Sequence, residues 1–408
     1  MQFTLQEIMM ENIKNSCKPI ERCLCCGSEK LLTILDLGSQ PLANSYLKSP
    51  DEEELTFPLA LNYCENCTHL QLTHAVNPDL LFKNYLYVSG TTQTLKDYFD
   101  SFVMLTKAYF PPSIKPKTVL DIACNDGSQL DSFKKFDYQT YGIDPAENLY
   151  ELSSKNHNVV CDYLTEESIA KFNTKFDIIT AQNVFAHNTY PKDFLEICEK
   201  NLSDDGLIFI QTSQANMIEY GQFDTVYHEH ISFFNPESML TLANRVRLKL
   251  INIEKTNIHG TSFVFVLSKK DADYFRLYDA SQDQKQTLEV VENFSSRAKN
   301  TIEDLKIKMK MQSDELIVGY GAAAKGNTVL NFGQIKFDYI VDDNPLKQGL
   351  YTPGMRIPIV SLDYINSLNR KVIWVPLSWN FYAEIVKRIE SARNTDNDLF
   401  IQLDFTGL

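Results

Sequence analysis

Short apolar runs ending in acidic or amide residues, separated by stretches long enough for helices, restrict this chain more than any other feature it has. From Thr118 onward TVLDIAC, TYGIDP, FDIITAQN and GLIFIQTS recur in that rhythm, the pattern of a parallel α/β sheet covered by helices. Two further runs, KLINIEKT and SFVFVLSKK, flank a turn at Gly260 and are expected to close one edge of that sheet as an antiparallel pair. A long polar segment from about Gln282 to Met311, rich in Lys, Glu and Gln, reads as one connecting or surface helix. After Glu315 the alternation restarts with ELIVGYG, FDYIVDDN, IPIVSL, VIWVPL, the amphipathic WNFYAEIVKRIESA and LFIQLD. A second, smaller α/β domain follows, with no internal sequence repeat linking the two beyond shared architecture.

The 408 residues exceed what one compact domain usually holds. The expected division is a metal-clipped module over residues 1–80, the main α/β domain over 81–300 and the smaller α/β domain over 301–408. A net charge of -14 repels phosphate backbones and anionic bilayers, so neither nucleic acid nor a membrane is expected as partner. No apolar run is long enough to span a bilayer, and the start MQFTLQEIMMENIKNS has neither a basic nor an apolar leader segment, which points to the cytoplasm. In that reducing compartment nine cysteines are free thiols or metal ligands rather than a disulfide framework. Oligomeric state is not encoded legibly; a monomer or small homo-oligomer is the expectation.

Spacing separates the ligands from the thiols. Cys23 and Cys26 form one CxxC knuckle and Cys64 and Cys67 another, which suits a single tetrahedral tetrathiolate zinc. Four protein ligands leave no position for water, so this one zinc is structural. Cys25 lies inside the first knuckle as an extra thiol.

VLDIACNDGSQL is a strand ending in Asp121, a tight turn through Ala123, Asn125, Asp126 and Gly127, and a helix start. Asp144 ends the next strand about 20 residues on, where a carboxylate can accept hydrogen bonds from a ribose diol. The acids at Asp121 and Asp126 would repel a pyrophosphate. S-adenosylmethionine, which carries a sulfonium and no phosphate, is therefore favoured over NAD.

AQNVFAHN puts Asn183 and His187 at the C-terminal end of its strand, beside the methyl donor's expected place; a histidine satisfied at a helix start is the plain alternative. VYHEHISFFN gathers Tyr227, His228, Glu229 and His230, where an imidazole can take a proton and a neighbouring glutamate can orient it. Metal binding by His228 and His230 lacks a further ligand set nearby. Tyr85 and Tyr87 of YLYVSG offer phenols to a developing oxyanion, although periodicity alone would make them core aromatics. VGYGAAAKGNT, with Gly319, Tyr320, Gly321, Lys325, Gly326 and Asn327, loosely matches a dinucleotide turn and could hold an anion.

Taken in order, ERCLCCGS, LDLGSQPLANSYL, CENCTHLQL, YLYVSG, DIACNDGSQL, AQNVFAHN, YHEHISFF, GYGAAAKGNTVLNF and VDDNPLKQGLYTPGMRIPI resemble the nucleotide-sugar C-methyltransferases that act on NDP-4-keto-6-deoxyhexoses, often at carbon 3. The resemblance covers nearly the whole chain. It implies a zinc-binding N-terminal domain, a central class I methyltransferase-type Rossmann-like sheet and a C-terminal Rossmann-like domain that closes over the sugar nucleotide. It also implies S-adenosylmethionine as donor, S-adenosylhomocysteine as product, and a dTDP, GDP or CDP 4-keto-deoxysugar as acceptor. His230 would be the general base, with Tyr227, Glu229, His187 and Tyr87 around the sugar; Tyr85, Lys325, Tyr320 and Asn327 are the remaining substrate contacts expected. Leu24 and Cys25 depart from the family's usual first knuckle, and HGTSFVF is less glycine-rich than its usual turn.

Three other readings compete. An O- or N-methyltransferase on a sugar or small metabolite would use the same donor pocket. A zinc-containing RNA methyltransferase or RNA-binding protein would use the cysteine module, against the charge. An NAD-dependent sugar-nucleotide oxidoreductase would use VGYGAAAKG.

Overall fold

The computed structural model describes residues 16–82, 89–91, 93–212, 216–256, 262–270, 288–310 and 315–405. Its central sheet has seven strands. From one edge to the other they are Lys249–Thr256, Ser262–Ser268, Leu202–Thr212, Phe176–Gln182, Thr118–Ile122, Gln139–Asp144 and Asn158–Cys161. The five from Thr118 to Thr212 run parallel. Ser262–Ser268 is antiparallel to both its neighbours, so the expected edge pair is present; its turn at Gly260 lies outside the described residues. With the strands numbered along the chain, this order is the class I methyltransferase arrangement. Ile178, Ile179, Ile208, Phe209 and Ile210 are all fully buried, as continuous apolar runs must be when helices cover both sheet faces. Asn158–Cys161, NVVC, carries too short an apolar run to stand out from sequence.

Thr118–Ile122 is the middle one of the five parallel strands, with one parallel neighbour on each side. The crossovers leave it in opposite directions, which opens a crevice at its C-terminal end.

The N-terminal segment is more regular than its sequence implies. Leu31–Pro41 and Thr56–Cys64 form a long antiparallel pair, joined by Leu70–Leu72 and then by Ser232–Phe233. The last strand comes from the heart of the central domain. Directly after it, Asn235 caps the helix Pro236–Arg245 through a capping box with Ser238, and its Nδ2 donates to the Thr68 carbonyl at 2.9 Å. One side chain thereby starts a helix and grips the second cysteine knuckle.

The polar segment is not a single connector helix. Helices span Leu288–Glu292 and Phe294–Lys310, with a break at Asn293. Phe294, Ala298, Ile302 and Leu305 recur at helical spacing and are buried. They join one cluster with Ile34 and Leu37 of the N-terminal sheet and Val329 and Leu330 of the C-terminal domain. The intervening Lys and Glu residues hide this apolar stripe in the composition, yet the stripe decides where the helix lies.

The C-terminal sheet orders Ile359–Val360, Tyr339–Val341, Leu316–Tyr320, Val372–Pro376 and Leu399–Phe400, all parallel. Its strand order repeats that of the first five central strands. No helix among the described residues is long and apolar enough to cross a membrane. Replacing Phe294 by Ala removes a fully buried ring and should lower unfolding free energy by about 3–5 kcal/mol, read from denaturant melts.

Candidate active site

The four cysteine sulfurs come together as their spacing implies. Cys23 Sγ lies 3.5 Å from Cys67 Sγ and Cys26 Sγ 3.6 Å from Cys64 Sγ, with all four within 4.8 Å of one another. Corners of a tetrahedron with zinc–sulfur bonds of about 2.3 Å stand about 3.8 Å apart, so the donor set fits zinc. The knuckles are closed by Gly27 N donating to Cys23 O at 2.8 Å and Thr68 N to Cys64 O at 2.9 Å. Cys25 is fully buried beside the cluster, and burial pushes its thiol well up, which keeps it a neutral bystander. This is the only such cluster among the described residues. His228 and His230 make no second one, because their rings address opposite partners: His228 Nε2 donates to Phe57 O at 3.2 Å and His230 Nδ1 to Thr225 O at 2.9 Å.

The C-terminal ends of the central strands open into a cavity of about 1700 Å³. Its floor is the crevice beside Thr118–Ile122. Ala123 and Asn125 hold φ of 60° and 52°, and Asn183 holds 56°, left-handed backbone that non-glycine residues adopt only where their surroundings enforce it. Ala123 N donates to Ile143 O at 2.7 Å. Asn125 N and Ala146 N donate to the two oxygens of Asp144, each at 2.8 Å. Each of those oxygens keeps a further lone pair for a ligand hydroxyl. Burial, with Asp144 nearby, pushes the Asp121 carboxyl up to about 7, against a 2.7 Å bond donated by Thr180.

Asp121, Ala123, Asn125, Asp144 and Asn183 all line the cavity. Asp126 and Gly127 do not. Asp126 accepts from Gly90 N at 2.9 Å and from Ser128 Oγ at 2.9 Å, which fastens the neighbouring loop and the helix start. Gly127 has φ 84°, and a Cβ there would meet His157 Cδ2 at 3.0 Å, so its glycine is required for the turn itself.

Tyr227, Glu229, His230 and His187 line the same cavity. His230 and His187 stack with centroids 5.3 Å apart. A carbonyl can only accept, so the Thr225 contact fixes the proton on His230 Nδ1. In the neutral ring Nε2 then keeps its lone pair and accepts from the Tyr227 phenol at 2.8 Å. Sequence assigned the orienting role to Glu229; both ring nitrogens are instead engaged by Thr225 and Tyr227, while Glu229 accepts from Asn44 Nδ2 at 2.6 Å. Burial drives the His187 ring down to about 4, which keeps it neutral with one N–H to donate. Tyr85 and Tyr87 lie outside the described residues.

The far wall belongs to the C-terminal domain and includes Lys325, Ser378, Asn380 and Phe381. Two expected contacts are elsewhere. Tyr320 donates to Asp343 at 2.9 Å, and Asn327 Nδ2 donates to the Ala43 carbonyl at 2.6 Å. Both serve packing rather than the cavity. Asn44, Tyr46 and Lys347 also line it, and no motif spacing marked them.

The C-terminal sheet repeats the crevice beside Thr118–Ile122 almost bond for bond. Gly321 N donates to Val341 O at 2.7 Å, and Ala322 N and Asn344 N donate to the two oxygens of Asp342, each at 2.8 Å. Here the crevice is filled from within the chain: Tyr46 Oη and Lys347 Nζ both donate to Ala322 O, at 2.5 and 2.7 Å. A dinucleotide at VGYGAAAKG would have to displace both.

Family models match a putative zinc binding domain over residues 23–82, a methyltransferase domain over 96–252 and a C-methyltransferase C-terminal domain over 235–403. Together with the crevice and the cysteine cluster, these define an S-adenosylmethionine-dependent methyltransferase with a zinc-binding N-terminal domain. More particularly, the chain is a C-methyltransferase. It is 27% identical to the C-methyltransferase NovU of Streptomyces niveus over 389 residues, 90% of this chain and 92% of that protein. It is also 24% identical to the ubiquinone biosynthesis O-methyltransferase of Coxiella burnetii over 176 residues, 38% of this chain and 74% of that protein. Among solved structures, the plantazolicin methyltransferase BpumL with S-adenosylhomocysteine matches at 17% identity and TM-score 0.35, over 44% of this chain and 87% of that one.

Metal analysis of the purified protein should find one zinc per chain. Cys64→Ser should lose it together with the cooperative melt, whereas Cys25→Ser should keep it.

Proposed function

We propose that the chain methylates a ring carbon, carbon 3, of an NDP-4-keto-deoxyhexose in branched-sugar biosynthesis in the cytoplasm. The observation that carries this reading is the setting of His230, a cavity-lining residue whose Nδ1 lies 2.9 Å from the Thr225 carbonyl and whose Nε2 lies 2.8 Å from the Tyr227 phenol; in the neutral ring Nε2 then carries the lone pair. Carbon methylation beside a ketone needs such a base, because the proton must leave carbon before carbon becomes nucleophilic. The cavity, at about 1700 Å³, exceeds the roughly 300–1,000 Å³ that suits one drug-sized ligand. That room supports a donor and a bulky acceptor held end to end.

S-adenosylmethionine, when bound, supplies an electrophilic methyl group. Asp144, Asn125 and Asn183 would hold it, with Asp144 taking the ribose hydroxyls. At the other end Lys325 and the helix start it sits on would take the acceptor's diphosphate. Between them His230 Nε2 removes the proton from the carbon next to the ketone, and the Tyr227 phenol turns from Nε2 to the enolate oxygen. Neutral His187 supplies a second hydrogen bond there, as does a tyrosine of YLYVSG. Imidazole and an ordinary ketone differ by on the order of ten pKa units, roughly 14 kcal/mol, so this donor set carries more of the catalysis than base strength does.

Methyl transfer to a panel of dTDP-, GDP- and CDP-4-keto sugars, read by mass spectrometry, tests the acceptor. In the active case, deuterium should wash out of the carbon beside the ketone. His230→Asn should remove both washout and methylation by at least a thousandfold, on the order of a general base's contribution with its geometry, with S-adenosylhomocysteine affinity within twofold of native. Washout at the native rate in that variant would end the base assignment. Asp144→Ala should weaken S-adenosylhomocysteine binding by roughly ten- to a hundredfold, the worth of hydrogen bonds to a charged group, measured by calorimetry.

A further inference from the structure

Asp224 is fully buried, and nothing in the chemistry above uses it. Its Oδ2 accepts a 2.7 Å bond from the indole Nε1–H of Trp379, which belongs to the C-terminal domain. Its Oδ1 is buried without a hydrogen bond of ordinary geometry. Burial raises this carboxyl; the Lys325 ammonium, the indole and the backbone amides of 224 and 225 pull it back. A buried acid with so thin a set of partners is a poor choice for stability, since a well-packed apolar side chain would cost less.

Its position supplies another reason. Asp224 sits in the one-turn helix Phe223–Thr225, and the next residue's carbonyl is the acceptor that fixes His230 Nδ1. The C-terminal domain grips this turn at three more points. Thr328 Oγ1 donates to Val226 O at 3.1 Å. Phe223 packs edge-on against Phe332, with ring centroids 5.5 Å apart, and against Phe405. Trp379 itself lies on Phe405 and carries Lys325 Nζ 5.1 Å above its ring. The residue proposed to meet the acceptor's diphosphate therefore rests on the same indole that anchors the base's orienting turn.

We infer that Asp224 and Trp379 are a positioning pair through which the C-terminal domain holds the Thr225 carbonyl against His230. The inference rests on His230 being the base. Loosening the turn frees the ring to rotate or exchange its tautomer, so a smaller fraction of molecules presents an unprotonated Nε2.

Trp379→Phe keeps the ring under Lys325 and against Phe405 but removes the N–H. Two readouts are needed. With histidine labelled by nitrogen-15 and S-adenosylhomocysteine bound, the His230 Nδ1–H resonance, assigned by its loss in His230→Asn, should exchange with solvent at least tenfold faster in Trp379→Phe. On a dTDP-4-keto-6-deoxyhexose, washout and kcat should fall about tenfold, in line with loss of one hydrogen bond to a charged group, with S-adenosylhomocysteine affinity unchanged. Asp224→Asn, which keeps an acceptor for the indole, should retain several-fold more activity than Trp379→Phe and serves if that variant folds poorly. Native N–H exchange and native washout in Trp379→Phe, beside an inactive His230→Asn, would overturn the positioning role. An active His230→Asn would instead overturn the base.

Discussion

A two-residue strand holds the molecule's chemistry in place. Ser232–Phe233 pairs with Leu70–Leu72 of the zinc module, and Leu72 N donates to Ile231 O at 2.8 Å. His230 stands one residue before this anchor. From the other side, the turn Phe223–Thr225 is held by the C-terminal domain through Trp379 and Thr328. The segment bearing Tyr227, Glu229 and His230 is thus strung between two domains, neither of which carries the crevice at Asp144. Short segments do not hold a geometry by themselves, so precision here is supplied by rigid neighbours. Zinc contributes indirectly: it fixes the knuckle at Thr68 that Asn235 grips, and with it the end of the strand.

The two crevices show how one local design serves different ends. At Asp144 and at Asp342 the same backbone amides are clamped by the same carboxylate geometry. What differs is the neighbour. The first faces open volume, while the second is stoppered by Tyr46 and Lys347. The C-terminal domain keeps the strand order of the central parallel sheet, and its crevice docks the zinc module through Tyr46.

Sequence made the parts legible wherever periodicity or spacing sufficed. The central strands, the edge pair, the restart after Glu315 and both CxxC knuckles are all found where the residues imply. So are the gathering of Asp121, Asn125, Asp144 and Asn183 at one crevice and of Tyr227, His230 and His187 at one cavity. What stayed hidden depends on contacts between distant segments. Thr225 acts through a backbone carbonyl, to which side-chain identity gives no clue. Asn327, expected from sequence as a substrate contact, instead reaches Ala43 across the domain boundary. Phe294, Ala298, Ile302 and Leu305 form a stripe that the surrounding lysines and glutamates mask. Lone polar residues such as Asp224 acquire meaning only from the partner that the fold delivers.

The pairing of Leu70–Leu72 with Ser232–Phe233 also governs the order in which the protein can mature. During synthesis the N-terminal strands leave the ribosome first, but the sheet they build has a bare hydrogen-bonding edge until a partner arrives; His69 and Ser232 are 163 residues apart in the chain. An unpaired edge invites association with other nascent chains. Loading of the metal can shape the knuckles early, whereas completion of the sheet waits for most of the methyltransferase domain. Separating the cysteine-bearing segment from the rest of the chain would therefore leave the first with an open seam and the second without the backing that His230 leans on.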